Sequence, residues 1–262
     1  ETFEIDQRPE IKFDCIFNAI HGSPGENGVM QNYFSKLGIP ITGCGSKESE
    51  LTFNKIECLK FLRDKGIKTA KSTSFKKNTE IKSEKIQKEI GFPCFIKASK
   101  SGSSFGVYKV YNQEEFIDCL NSAFEIDDEI LVETFIEGRE FSIGVLTYKN
   151  KVTALPITEI IASNDFFDYE AKYEGKSQEI TPAKIDDKLK DKLNKISKDI
   201  YDIIGLKGFS RSEFIVNKDG IYFLETNTVP GLTSESILPQ QAQHAGISLE
   251  DLFVNSIYEV IK

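Results

Sequence analysis

The sequence predicts an α/β fold assembled from small α+β lobes. Short apolar, strand-like runs alternate with stretches whose apolar residues recur at helical spacing. The chain has 262 residues, enough for one large domain or two to three lobes around a sizeable core. No internal repeat, low-complexity tract or flexible linker interrupts it, so the lobes are expected to pack closely.

Residues 13–20 (FDCIFNAI) read as a strand ending in the Gly-rich turn HGSPGENG. Residues 29–37 read as a helix and 39–41 as a second strand. Thr52 is placed to N-cap a helix to about residue 65, with Phe53, Ile56, Leu59 and Leu62 at helical spacing and Gly66 as its stop. Between 66 and 138 come a lysine-rich helix, the strand GFPCFIKA, the break SGSSFG, the strand VYKVY, a helix over 114–124 and a strand over 129–135. Residues 139–160 then read as a hairpin about a Lys-Asn turn, 162–181 as a polar, aromatic loop, and 184–204 as a helix. A second hairpin turns at Lys218-Asp219-Gly220, and two helices close the chain.

Charge and cysteine content narrow the function. Lys and Arg number 33 against 41 Asp and Glu, a formal net charge of −8, which argues against nucleic acid or an anionic membrane as partner. No apolar run nears the roughly 20 residues of a membrane span. No secretory signal pattern opens the chain. Cys15, Cys44, Cys58, Cys94 and Cys119 form no CxxC pair and only two histidines are present, so a zinc site is not expected. The thiols fit a reducing cytoplasm. The chain opens on Glu1 rather than Met and is read as lacking its beginning.

The second hairpin, RSEFIVNKDGIYFLETNTVPG, carries the chemistry. Each strand holds a carboxylate, Glu213 and Glu225, amid apolar residues. Arg211, Glu213 and Ile215 share a face of the first strand, Glu225 and Asn227 share a face of the second, and the hairpin can bring Glu213 and Glu225 across from each other. Facing carboxylates repel unless a cation lies between them, and hard oxygen donors suit Mg²⁺. The plainer alternative is a solvated sheet face. In FIKASKSGSSFG, Lys97 ends a strand before a Gly/Ser loop able to cradle phosphate, although a plain connector has the same composition. In ILVETFIEGRE, Glu133 and Glu140 flank Gly138 between lobes, where Glu140 could meet a ribose, although the stretch alone reads more simply as an exposed connector. FFDYEAKY reads either as a lid over a site or as an aromatic-rich loop packed on the surface. His21 follows an apolar run at a strand end, while Glu26 and Asn27 read as turn residues.

Taken in order, NAIHGSPGENGVMQ, LTFNK, FIKASKSGSSFGV, VETFIEGREFSIGV, FFDYEAKY, KGFSRSEFIV, FLETNTVPGLTSESILPQQA and AGISLEDL resemble the ATP-grasp superfamily, and within it the D-alanine–D-alanine ligase family. The resemblance runs from about residue 17 to the C-terminus. It implies an ATP-grasp fold with a truncated N-terminal Rossmann-like domain. The expected boundaries are 1–50 for that remainder, 51–138 for a central lobe and 139–262 for a C-terminal lobe. It implies a cytoplasmic bacterial enzyme, expected to be a homodimer. Its substrates are D-alanine and ATP, and its product serves peptidoglycan synthesis.

The resemblance also implies roles. Lys55 and Lys97 hold ATP phosphates under the Ser103–Ser104 loop. Glu133 and Ile136 meet adenine, and Glu140 the ribose. Lys172 reaches the γ-phosphate from the lid. Glu213, Glu225 and Asn227 hold two Mg²⁺, or Mn²⁺. Arg211 and the Gly231 N–H stabilise the oxyanion. Ser236 and Ile237 bind the second substrate's carboxylate, with His21 near it. Tyr173 orients the lid and favours an amine as acceptor, against the rival reading of a D-alanine–D-lactate-type ligase. The family has Asp at Glu213, Lys-Pro at Lys97-Ala98 and Tyr at Phe167. Its N-terminal segment, with a glutamate for the first D-alanine, has no counterpart in Glu4, Glu10 or Glu26. The chain as written is therefore expected to bind Mg·ATP and to be weak or inactive as a ligase. A nucleotide-binding fragment without turnover is the other reading.

Overall fold

The computed structural model describes residues 12–162 and 177–261. Two antiparallel sheets organise them. The smaller has the order β1-β4-β2-β3, from β1 (Ser72–Lys76), β2 (Cys94–Ala98), β3 (Val107–Val110) and β4 (Glu129–Thr134). Alternation along β2 sends Cys94, Ile96 and Ala98 into a core beneath α4 (Ser83–Glu89) and α5 (Gln113–Phe124), and leaves Phe95 and Lys97 on the opposite face. Asn112 caps α5 by accepting from the Glu114 and Glu115 N–H groups.

The larger sheet has the order β10-β9-β5-β7-β8, with β6 also paired to β5. Its strands are β5 (Arg139–Tyr148), β6 (Lys151–Ala154), β7 (Thr158–Ala162), β8 (Ser177–Ile180), β9 (Phe209–Asn217) and β10 (Gly220–Asn227). One face packs Phe141, Ile143, Phe214 and Phe223 against Leu193, Ile200 and Tyr201 of α6 (Asp187–Ile204). Asp186 caps α6 and Gly205, at φ +79°, ends it. On the other face, Leu146 and Phe209 meet Leu238 and Ala242 of α7 (Ile237–His244) and Leu252 of α8 (Leu249–Val260). Thr69, just ahead of β1, makes a parallel backbone bridge to Phe223 of β10, whose N–H donates to Lys68 O at 2.9 Å.

Four local expectations are corrected. Residues 13–20 and 39–41 are not strands; they pair only at Ile16 and Ile41, because Pro40 has no N–H with which to extend the ladder. The helix beginning at Thr52 is two helices, α2 (Ser46–Phe53) and α3 (Lys55–Asp64). Asn54 is the cap of α3, accepting from the Glu57 N–H at 3.3 Å, while the Thr52 hydroxyl bonds back to Glu48 O at 2.9 Å. The 139–160 hairpin turns at Lys149 and Asn150 as expected, both with positive φ (+49° and +63°), but Pro156 splits its return into β6 and β7. The stretch 162–181 contains β8. Strand β1 has no sequence signal, because STSFK has little apolar content. Helix α1 (Val29–Lys36) lies where spacing put it.

Candidate active site

Between the sheets lies a cleft of about 490 Å³. Its floor is the β9–β10 hairpin. Glu225 stands directly opposite Glu213, Asn227 opposite Arg211, and a bulge at Leu224 sets this register. Without the extra residue Glu213 would face Leu224, and Glu225 would point to the other side of the sheet. The bulge also lets two consecutive residues, Leu224 and Glu225, both line the cleft.

Glu213 is buried. Its Oε1 accepts from Arg211 Nε at 2.9 Å and from Ser142 Oγ at 3.2 Å. Its Oε2 is buried without a hydrogen-bond partner. A desolvated, uncompensated carboxylate oxygen beside a second carboxylate fits a hard divalent cation. Among the described residues no cluster of three His, Cys, Asp or Glu side chains forms a metal site; the hairpin presents two carboxylates, Glu213 and Glu225, and the Asn227 amide. Burial alone would lower the Arg211 guanidinium, but Glu213, then Glu225 and Glu179, outweigh it and hold it above its ordinary value.

Two lysines enter from the opposite side. Lys97 forms an ion pair with Glu133, on neighbouring strands of the small sheet. Burial would depress the Lys97 ammonium, yet the Glu133 carboxylate raises it above its usual range. Lys55 donates to Ser101 O and lies 3.8 Å from Glu225. The Ser101–Ser104 loop turns through left-handed φ at Ser103 and Ser104 (+52° and +57°), a strained geometry that aims the loop toward the cleft. Phe95, Phe135, Ile136, Ile215 and Leu224 supply an apolar end, and Glu140 lies beside them. There Arg139 forms a two-pronged pair with Glu159 at 2.7 and 2.8 Å, an arrangement the sequence did not suggest.

A smaller cavity of about 40 Å³ shares Lys55 and Glu225 with the cleft and adds His21, Glu26, Ser103 and Asn227. His21 Nδ1 lies 2.9 Å from Val229 O. Glu26, read from the sequence as a turn residue, accepts from the Gly22 N–H at 2.5 Å and the Val229 N–H at 3.3 Å. Burial raises its carboxyl, against His21 and those two N–H groups. Gly231 follows; a Cβ there would meet Ser236 Oγ at 2.6 Å and Ser236 Cβ at 3.2 Å, so a side chain would make Ser236 shift at the start of α7. Ser236 caps that helix with no side-chain bond to its free N–H groups.

The structure thus brings together Lys55, Lys97, Ser104, Glu133, Ile136, Glu140, Glu213 and Glu225 in the cleft, with Arg211 beside Glu213 and with His21, Ser103 and Asn227 in the adjoining cavity, whereas Gly231, Ser236 and Ile237 line neither and meet one another at the start of α7. Lys172 and Tyr173 lie outside the described residues.

Residues 61–258 match the family model described as D-ala D-ala ligase C-terminus. The chain belongs to the D-alanine–D-alanine ligase family. It is 54% identical over 248 residues to a D-alanine–D-alanine ligase of Flavobacterium johnsoniae, covering 95% of this chain and 77% of that relative. It is 52% identical to one of Christiangramia forsetii, covering 94% and 76%. Among solved structures it resembles the VanG D-Ala:D-Ser ligase of Enterococcus faecalis (TM-score 0.85, 35% identity, 95% of this chain and 73% of that one). It also resembles the D-alanine–D-alanine ligase of Bacillus anthracis complexed with ATP (TM-score 0.81, 30% identity, 95% and 79%). The two-sheet cleft of this family member is the ATP-grasp fold. No helix among the described residues is long and apolar enough to cross a membrane.

Proposed function

We propose that this chain joins two D-alanines at the expense of ATP, with the cleft as nucleotide site and the β9–β10 hairpin as catalytic floor. Family membership supports the reaction. The observation that carries the site assignment is the bulge-set pair Glu213 and Glu225, with one buried carboxylate oxygen lacking a partner.

In this reading the apolar end takes adenine beside Glu133 and Ile136, and Glu140 takes the ribose. Lys55, Lys97 and the Ser103–Ser104 loop hold the phosphates. Glu213, Glu225 and Asn227 hold two Mg²⁺, which supply charge neutralisation of the triphosphate when bound. A carboxylate oxygen of the first D-alanine takes the γ-phosphoryl group, releasing ADP. The amine of the second attacks the acyl carbon, loses a proton, and phosphate leaves as the peptide bond forms. Arg211 and the Gly231 N–H face the oxyanion of that step. Ser236 and the Ile237 N–H, at the start of α7, receive the acceptor carboxylate, and His21 stands close by. Lys172 and Tyr173 keep the lid roles implied by the resemblance.

A bacterial cytoplasmic setting is supported by the family's reaction and by five free cysteines. A homodimer is proposed on the exposed Ile20 and Val29 around the HGSPGENG turn. The test is D-alanine-dependent ADP release with Mg·ATP, in this chain and in Glu225→Ala. Release that is lost in the variant is expected; equal release in both overturns the site assignment. Product analysis with D-alanine, D-serine and D-lactate as acceptors identifies the acceptor.

A further inference from the structure

Strand β5 changes neighbour along one edge. Through Ser142 it pairs with β7, and from Val145 with β6. Pro156 interrupts the neighbouring chain between them. A side chain occupies this junction. The Gly144 N–H donates to Gln241 Oε1 at 2.9 Å, and Gln241 Nε2 donates to Ser142 O at 2.8 Å and to Thr158 Oγ1 at 2.9 Å. The Gln241 carboxamide therefore offers one acceptor and one donor to the β5 backbone, as a peptide group of an unbroken strand would. Gln241 is fully buried (0% exposed). Gly144 is required for the approach, since a Cβ there would meet Gln241 Oε1 at 2.7 Å.

The two ends of this contact lead to different parts of the site. Ser142 binds Gln241 through its carbonyl and Glu213 through its hydroxyl, at the same Oε1 that accepts from Arg211. Gln241 belongs to α7, whose first residues are those proposed to receive the acceptor carboxylate.

We propose that Gln241 is a positioning residue for the coupling step. It fixes the first turn of α7, and hence the acceptor, at a set distance from the Arg211–Glu213 pair. The inference rests on the reading of α7 given above. Displacing an acceptor by a fraction of an ångström costs rate without touching nucleotide binding.

The test is steady-state kinetics of the full chain. Gln241→Met keeps length and loses all three hydrogen bonds. The half-saturating D-alanine concentration is expected to rise about fivefold or more, the equivalent of at least one buried hydrogen bond, with half-saturating ATP held within about twofold. A merely structural role would lower Tm and the active fraction and leave both half-saturation values in place; that result overturns the proposal. Should Gln241→Met not fold, Thr158→Val, which removes one of the three bonds, decides on the same readout. A D-alanine half-saturation raised by about twofold or more supports the proposal, and an unchanged one overturns it. Absence of D-alanine-dependent ADP release in the unsubstituted chain overturns the underlying reading. Release with an unmoved D-alanine dependence in the variants overturns the inference alone.

Discussion

Glu225 faces Glu213 across the β9–β10 hairpin because Leu224 is bulged out of the ladder. A regular two-residue turn at Lys218 and Asp219 puts the carboxylates on opposite faces, so one extra residue makes the pair. If these groups hold cations at the reacting phosphate, Glu213→Ala and Glu225→Ala each lose about a hundredfold or more in kcat, the scale seen when a charge-stabilising group is removed. Steady-state ADP release as a function of Mg²⁺ checks this. A variant with normal kcat at ordinary Mg²⁺ contradicts it.

Lys97 and Glu133 are both largely buried, with side chains 16% and 5% exposed. Removing either alone strands a charge in a desolvated site, which costs about 3–5 kcal/mol. Lys97→Met and Glu133→Leu are each expected to destabilise on that scale, and the double variant less than their sum. Urea unfolding of the four proteins measures the coupling; strict additivity would remove the pair as a structural element.

Glu26 gives a pH dependence whose sign is fixed. Burial raises its folded-state pKa above 4.5, so the folded protein holds the proton more tightly than the unfolded chain. The stability this group contributes is complete below 4.5 and is lost as pH rises through the folded value. Glu26→Gln removes the loss. The Tm difference, variant minus unsubstituted chain, should therefore be more positive near pH 7.5 than near pH 4.5. A difference that does not move with pH counts against a titrating Glu26.

Asn54 does two things with one oxygen. Its Oδ1 caps α3 and accepts from Ser99 Oγ at 2.8 Å, stitching the helix that begins with Lys55 onto the end of β2. Asn54→Ala is expected to cost about 1 kcal/mol as a cap and to weaken Mg·ATP binding by freeing Lys55. Asn54→Asp, which keeps the oxygen, should retain most of both. Calorimetric stability and nucleotide titration separate the two effects, and an unchanged ATP affinity in Asn54→Ala refutes the second.

Buried titratable thiols offer a check on the core. Burial pushes Cys44, Cys58 and Cys94 up to about 12. In the native chain at pH 8 they should resist alkylation while the half-exposed Cys15 reacts. Mass spectrometry of the labelled peptides decides; early modification of Cys58 would place α3 differently.

Much of the cleft was legible because its residues sit at strand ends beside turn glycines and prolines. Lys97 closes an apolar run, and Glu213 and Glu225 interrupt two of them. What stayed hidden depends on register or on distant partners. Asn54 could have been read as a cap from Asn-x-x-Glu, with Glu57 three residues on. The Leu224 bulge has no local signature, since a leucine in a strand looks the same in either register. Gln241 reads as one polar residue in an amphipathic helix until β5 is seen beside it. Strand β1, polar and five residues long, exists because β4 offers it a free edge.

The backbone bridge from Thr69 to Phe223 has a mechanical consequence. Thr69–Phe223 and the 135–138 connection both lie at the apolar end of the cleft, where Ala70 and residues 134–138 line it. At the other end, Ser99 O accepts from the Lys55 N–H at 3.0 Å and Ser99 Oγ donates to Asn54, so α3 anchors the close of β2 as well. The small sheet is thus fastened at both ends of the cleft, and Lys55, which also grips Ser101 O, ties the second fastening to the phosphate loop itself.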